Sequence, residues 1–149
     1  MEVDKIRESI KKSARELFRK YGYHKTSVNE IAKKAKIAKA TIYKYFDSKE
    51  LLLHSILMDY IRVSVHELIH NTTGELNKEA YLSDLILKTS RLSYTICNEF
   101  IGWDFIRESA NAQEFLKVLS DDLEKLLIQS FQETPFFKDE ENNLDGLRF

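Results

Sequence analysis

The sequence predicts an all-α protein, in which an N-terminal three-helix unit containing a helix-turn-helix is followed by a larger helical part. Three observations lead there. Apolar residues recur at helical spacing along most of the 149 residues, and no run of β-branched residues alternates with polar ones. Four glycines and one proline are the only strong breakers, so helix is the default between them. The stretch from Ser27 to Phe46, SVNEIAKKAKIAKATIYKYF, has the apolar pattern of two short helices joined by a tight turn.

The first helix is expected from Val3 to Tyr21, where Ile6, Ile10, Ala14, Leu17, Phe18 and Tyr21 keep to one stripe and Gly22 closes the helix. Ser27 and Glu30 form the S-x-x-E of a capping box and start the second helix. Its inner face is Val28, Ile31, Ala32 and Ala35. Ile37, Ile42 and Phe46 give the third helix a matching inner face, which leaves Lys39, Ala40, Thr41, Tyr43 and Lys44 to solvent or to a partner. Asp47 and Glu50 are a cap-like pair opening a long fourth helix, Ser48 to about Asn71, apolar over much of its circumference and so expected to be buried between others. The polar segment around Gly74 is a break, after which a fifth helix runs from about Ala80 to Cys97. Gly102 divides it from the aromatic stretch WDFIRES, and a further helix runs from about Ala112 to Glu133 until Pro135 stops it. The closing residues FFKDEENNLDGLRF suit a mobile tail or the start of another helix.

Charge divides the chain. Residues 1–50 carry 14 Lys+Arg against 7 Asp+Glu, net +7, and residues 51–149 carry 9 against 17, net −8, which together give −1. A basic module fused to an acidic one is expected when only the first meets a polyanion, although a Lys-rich solvated face is the plainer explanation of charge alone. The single cysteine, Cys97, excludes an internal disulfide and suits a reducing cytoplasm. No apolar run approaches the ~20 residues of a membrane span, and the charged N-terminus lacks the apolar core of a secretory signal.

Phe18, Gly22, Tyr23, Thr26, Ser27, Val28, Ile31, Ala32, Ala35, Ile37, Ala40, Thr41, Ile42, Tyr43, Tyr45, Phe46, Ser48, Lys49 and Leu52 form a punctuated array. It resembles the DNA-binding domain of the tetracycline-repressor-like (TetR) family over roughly residues 5–55. The resemblance implies a homodimeric, ligand-responsive transcription regulator, usually a repressor, that binds a palindromic operator in double-stranded DNA; that its effector is small and hydrophobic is expected from the aromatic residues of the second half. It implies a DNA-binding domain at 1–47 and a helical ligand-binding and dimerisation domain at 48–149. It also implies phosphate contacts at Thr26, Ser27, Tyr43 and Lys49, with Lys39, Ala40, Thr41 and Lys44 facing the groove. The family's chains are longer, and their last two helices pair across the dimer. This chain stops where the first of those would begin, so the second domain is expected to be incomplete or to dimerise through the helix from Ala112. Two residues depart from the pattern: Lys36 stands where the family has Gly, and Ala38 where it has Ser.

A competing motif lies on the fourth helix, where His66-Glu67-Leu68-Ile69-His70 is an H-E-x-x-H. On a helix it puts two imidazoles on one face beside a carboxylate, the arrangement of zinc proteases. The longer protease pattern fails at Thr73 and Leu76. Glu75, Glu79 and Glu99 are third-ligand candidates only by elimination, and no strand is apparent to align a substrate. The expectation is therefore no enzyme, no cofactor and no metal. A metal-sensing or protein-interaction module using His66 and His70 is the alternative. In the second half Tyr60, His66, Tyr94, Cys97, Phe100, Trp103, Phe105 and Phe115 are expected to converge on an effector pocket, against the plainer reading that aromatics at helical spacing are core.

Overall fold

The computed structural model describes residues 2–70, 78–108 and 110–132, and these residues form seven α-helices and one π-helical turn. Helix α1 spans Glu2–Tyr21. Ile10, Ala14 and Phe18, at successive i, i+4 positions, are almost completely buried, with Ile6 and Leu17 beside them. Tyr21, expected on that stripe, is instead half exposed. The cause is Gly22, whose φ of 86° turns the chain at the helix end, so that Tyr23 takes the inner place. The Tyr23 ring lies 5.3 Å from that of Phe18.

Helices α2 (Val28–Ala35) and α3 (Lys39–Tyr45) follow, and α2 packs on both α1 and α3. Helix α4 (Lys49–His70) is capped by Ser48, whose Oγ accepts from the Leu51 N–H at 3.1 Å. The cap is Ser48 rather than the Asp47 pair expected from sequence: Asp47 is exposed and one residue too early. Leu52, Leu53, Ile56, Leu57, Ile61 and Val65 make α4 the spine of the core, and it packs against α1, α5 and α7. No described helix is long and apolar enough to cross a membrane.

Helix α5 (Lys78–Thr95) does not continue as an α-helix to Cys97. It widens into a π-helical segment, Ile96–Ile101, closed by the Gly102 N–H donating to the Cys97 carbonyl five residues back, at 2.9 Å. The extra residue in that turn lets neighbouring Phe100 and Ile101 both be buried, and the segment docks on α1. There the Arg19 guanidinium pairs with Glu99 at 2.9 Å and lies 5.8 Å from the Phe100 ring centre. Short α6 (Trp103–Glu108) leads into α7 (Ala112–Gln132), which lies along α4.

Polar ties cross the core boundary. Lys11 Nζ on α1 reaches Asp59 of α4 at 2.5 Å and Glu8 at 2.6 Å. Burial disfavours its charge, but these two carboxylates outweigh that and raise its pKa. His54 of α4 meets Asp122 of α7 at 3.0 Å. The residues around Gly74 and beyond Gln132, including the expected break and the tail after Pro135, lie outside the described residues.

Candidate nucleic-acid interface

The turn between α2 and α3 decides how α3 is presented. Lys36 is the single non-glycine residue with positive φ among those described, at φ 57° and ψ 41°. Its N–H donates to the Lys33 carbonyl at 3.2 Å, and the Ile37 N–H donates to the Ala32 carbonyl at 3.0 Å. These paired bonds are a Schellman motif, which favours glycine at the position Lys36 occupies. At Ala38 the backbone takes an extended cap geometry, φ −72° and ψ 146°, but no side chain caps α3. Both departures noted in the sequence are thus local features of the turn.

Ile42 and Phe46 anchor α3 inward, while Lys39, Ala40 and Lys44 are exposed, Tyr43 is 44% exposed and Thr41 is half-buried. Five of the eight expected DNA contacts therefore lie on a helix whose opposite side is core. Lys39 Nζ lies 6.0 Å from the Tyr43 ring centre, so a cation and a phenol sit together on that surface. Lys36, noted in the sequence only as a departure from the family's glycine, adds a further exposed ammonium in the turn just before α3.

The other three contacts are committed elsewhere. Thr26, expected as a phosphate contact, is 2% exposed, and its hydroxyl donates to the Gly22 carbonyl at 2.9 Å, which ties the α1–α2 loop. Lys49 Nζ donates to the carbonyls of Tyr23 and Thr26, both at 3.1 Å, and sits 4.1 Å from the Tyr23 ring centre. Burial lowers the pKa of this ammonium, with Glu50 partly offsetting it. Lys49, expected as a phosphate contact, thus fastens α4 to the loop before α2 in this structure. Ser27 is exposed but engaged in its capping box: Oγ accepts from the Glu30 N–H at 3.2 Å, and the Ser27 N–H and hydroxyl both reach Glu30 Oε2, at 2.7 and 2.8 Å. Those bonds hold the Glu30 carboxyl below its usual pKa.

The eight expected ligand-lining residues do not converge. Phe100 and Phe105 are core. Phe100 stacks with Tyr60 at 5.3 Å, whereas Phe105 belongs to a separate aromatic group with Tyr23 at 5.0 Å, His24 at 5.4 Å and Phe115 at 5.7 Å. Tyr94 and Trp103 are 62% and 54% exposed, and His66 is exposed as well. Cys97 is half-buried, and that burial raises its thiol pKa. The apolar positions of α5 are spread widely enough that periodicity does not say which side meets α4. Tyr60 and Phe115 alone among the eight line clefts described here, and these are different clefts. One is a shallow groove of about 300 Å³ with Ser64, Glu67 and Arg91. The other, of about 430 Å³, lies between the starts of α4 and α7 with Glu50, His54 and Glu114. The His70 side chain lies outside the described residues, and among the described residues no three His, Cys, Asp or Glu are grouped to hold a metal.

Residues 10–56 match the family described as bacterial regulatory proteins, tetR family. The chain is 42% identical over 77 residues to an uncharacterised HTH-type transcriptional regulator, YuxN, of Bacillus subtilis; that match covers 51% of this chain and 26% of the relative. The matched stretch thus spans about a quarter of that curated relative. Among solved structures it is similar to the fatty acid degradation regulator FadR from Bacillus halodurans, with a TM-score of 0.57, 22% identity, and coverage of 85% of this chain and 69% of that one. It is also similar to the transcriptional regulator FadR from Bacillus subtilis in complex with stearoyl-CoA, with a TM-score of 0.53, 25% identity, and coverage of 83% and 70%.

Proposed function

We propose, for a chain that belongs to the TetR family through the helix-turn-helix at residues 10–56, that it is a transcriptional regulator reading double-stranded DNA with the outer face of α3. The observation that carries this reading is the division of α3 into a buried side, Ile42 with Phe46, and a solvent side of Lys39, Ala40, Thr41, Tyr43 and Lys44. A helix so presented fits the major groove, with lysines and hydroxyls for phosphates and base edges.

The finer reading is a repressor that works in the cytoplasm as a homodimer, with residues 1–47 as its DNA-binding domain and 48–149 as part of its ligand-binding and dimerisation domain. Exposed apolar side chains on α5 (Ile86, Leu87) and α7 (Val118, Ile128) support a partner surface there. The likeness to a structure that holds stearoyl-CoA supports a small lipophilic effector, of the long-chain acyl class. Two α3 helices would then sit about one DNA turn apart, roughly 34–36 Å, and an effector that favours another α4 position would change that spacing. DNA must in turn weaken effector binding by the same factor.

The test is fluorescence anisotropy with an operator selected from random duplex DNA, repeated across salt concentrations. Log affinity should fall against log salt with a slope of about −0.9 per phosphate contacted, and long-chain acyl-CoA should release the DNA. A flat salt response removes the DNA reading. Unchanged affinity with acyl-CoA removes only the effector.

A further inference from the structure

We infer that Arg7, on α1, is a positioning residue for DNA recognition: it clamps the C-terminal end of α3 and fixes the angle at which that helix meets the groove. This rests on the proposed DNA-binding role of α3.

Helix α3 has 7 residues, fewer than two turns, and an isolated helix of that length does not persist in water. Its N-terminal end has no side-chain cap. What holds it is its attachment to neighbours: the buried side chains of Ile42 and Phe46, and one polar contact at its other end. That contact is Arg7, whose Nη2 points to the Tyr45 carbonyl at 3.4 Å while its Cζ lies 5.0 Å from the centre of the Phe46 ring. A carbonyl in the last turn of a helix carries the negative end of the helix dipole, so a fixed cation there is favourable. The guanidinium can lie over a ring and still direct an N–H to a carbonyl, which an ammonium does poorly.

Arg7 is well placed for this. Ile10, one turn further along α1, is completely buried, and Ile6 packs against the same core, so the backbone of Arg7 is held by the module's interior. The clamp thus links the most firmly anchored helix of the module to the least firmly capped one. Lys39 and Lys44 touch DNA in the proposed function; Arg7 acts through α3.

The experiment compares wild type, Arg7→Ala and Arg7→Lys in the full chain. Operator affinity is measured by anisotropy over a range of salt, and amide hydrogen exchange is measured without DNA. Arg7→Ala should weaken operator binding roughly three- to tenfold, the scale of one exposed cation–π contact plus one helix-end charge. The salt slope should stay unchanged, and exchange should quicken at the Phe46 N–H, which donates to the Ile42 carbonyl, but not in α1 or α2. Arg7→Lys should recover part of both effects. A slope reduced by about 0.9 would make Arg7 a phosphate ligand and overturn the inference. Unchanged affinity with unchanged exchange would overturn it too, and quickened exchange throughout the module would reduce Arg7 to a general stabiliser. If wild type binds no DNA at any salt, the regulator reading falls, while the exchange at Phe46 still decides whether Arg7 holds α3.

Discussion

Up to Phe46 nearly every change of chain direction is made by a bond between near neighbours, whereas beyond α4 direction is set by packing between distant helices. In the first region Gly22 ends α1, Thr26 bonds back to Gly22, Ser27 and Glu30 cap each other, and Lys36 and Ile37 close α2 onto Lys33 and Ala32. In the second, α5 widens into a π-turn, and large apolar side chains such as Ile86, Leu87, Tyr94 and Trp103 face solvent beside fully buried ones. Local bonds specify a structure whatever else is present. Broad amphipathic faces specify one only together with what covers them.

The largest expected effect tests this contrast directly. Phe18 is 1% exposed and packs on Tyr23, so Phe18→Ala should lower unfolding free energy by about 3–5 kcal/mol. Leu87 is 63% exposed on α5, so Leu87→Ala should stay within about 0.5 kcal/mol. Urea denaturation of both variants gives the comparison. A loss at Leu87 comparable to that at Phe18 would show that the exposed face of α5 is covered in solution.

The same contrast explains what could be read from sequence. The capping box, the Gly22 stop and the departures at Lys36 and Ala38 all rest on residues within a few positions of one another, and all were visible. The exposed side of α3 was visible too, because Ile42 and Phe46 define its inner face. The bonds of Thr26 and Lys49 were not visible, because a hydroxyl or an ammonium near a helix start suits a phosphate and a carbonyl equally well. Only the fold shows that the carbonyls of Gly22, Tyr23 and Thr26 are in reach. Of the expected lining aromatics, Phe105 and Phe115 pack together while Tyr94 and Trp103 face solvent, because which side of each helix is covered depends on partners distant in sequence. Arg7 left no sequence signal, as its partners are 38 and 39 positions away.

Lys49 offers the second test, at intermediate size. Lys49→Met keeps most of the apolar stem and removes both hydrogen bonds to the loop carbonyls. The expected loss is about 1–2 kcal/mol of stability, somewhat below the range for bonds to charged groups because the site is only half-buried. If Lys49 is a fastener, the salt slope of DNA binding should not change. A slope smaller by about 0.9, with stability intact, would return Lys49 to the DNA surface.

A smaller effect than at Lys49, and of opposite sign, is expected where the first region lacks one of its local bonds. Ala38 already holds cap geometry, and its carbonyl already accepts from the Thr41 N–H at 2.9 Å, so a serine needs no backbone change to place its oxygen near the first free N–H groups of α3. Ala38→Ser should therefore stabilise the protein by about 0.5–1 kcal/mol, within the range for N-caps, and tighten operator binding by a similar free energy if α3 is partly unformed without DNA. Melting temperature and anisotropy on the same preparation separate the two consequences. A higher melting temperature with unchanged affinity would mean that α3 is fully formed before it meets DNA, held from its other end by Arg7. No change in either would mean that the missing cap is already compensated by packing, and that the first region too depends on contacts distant in sequence.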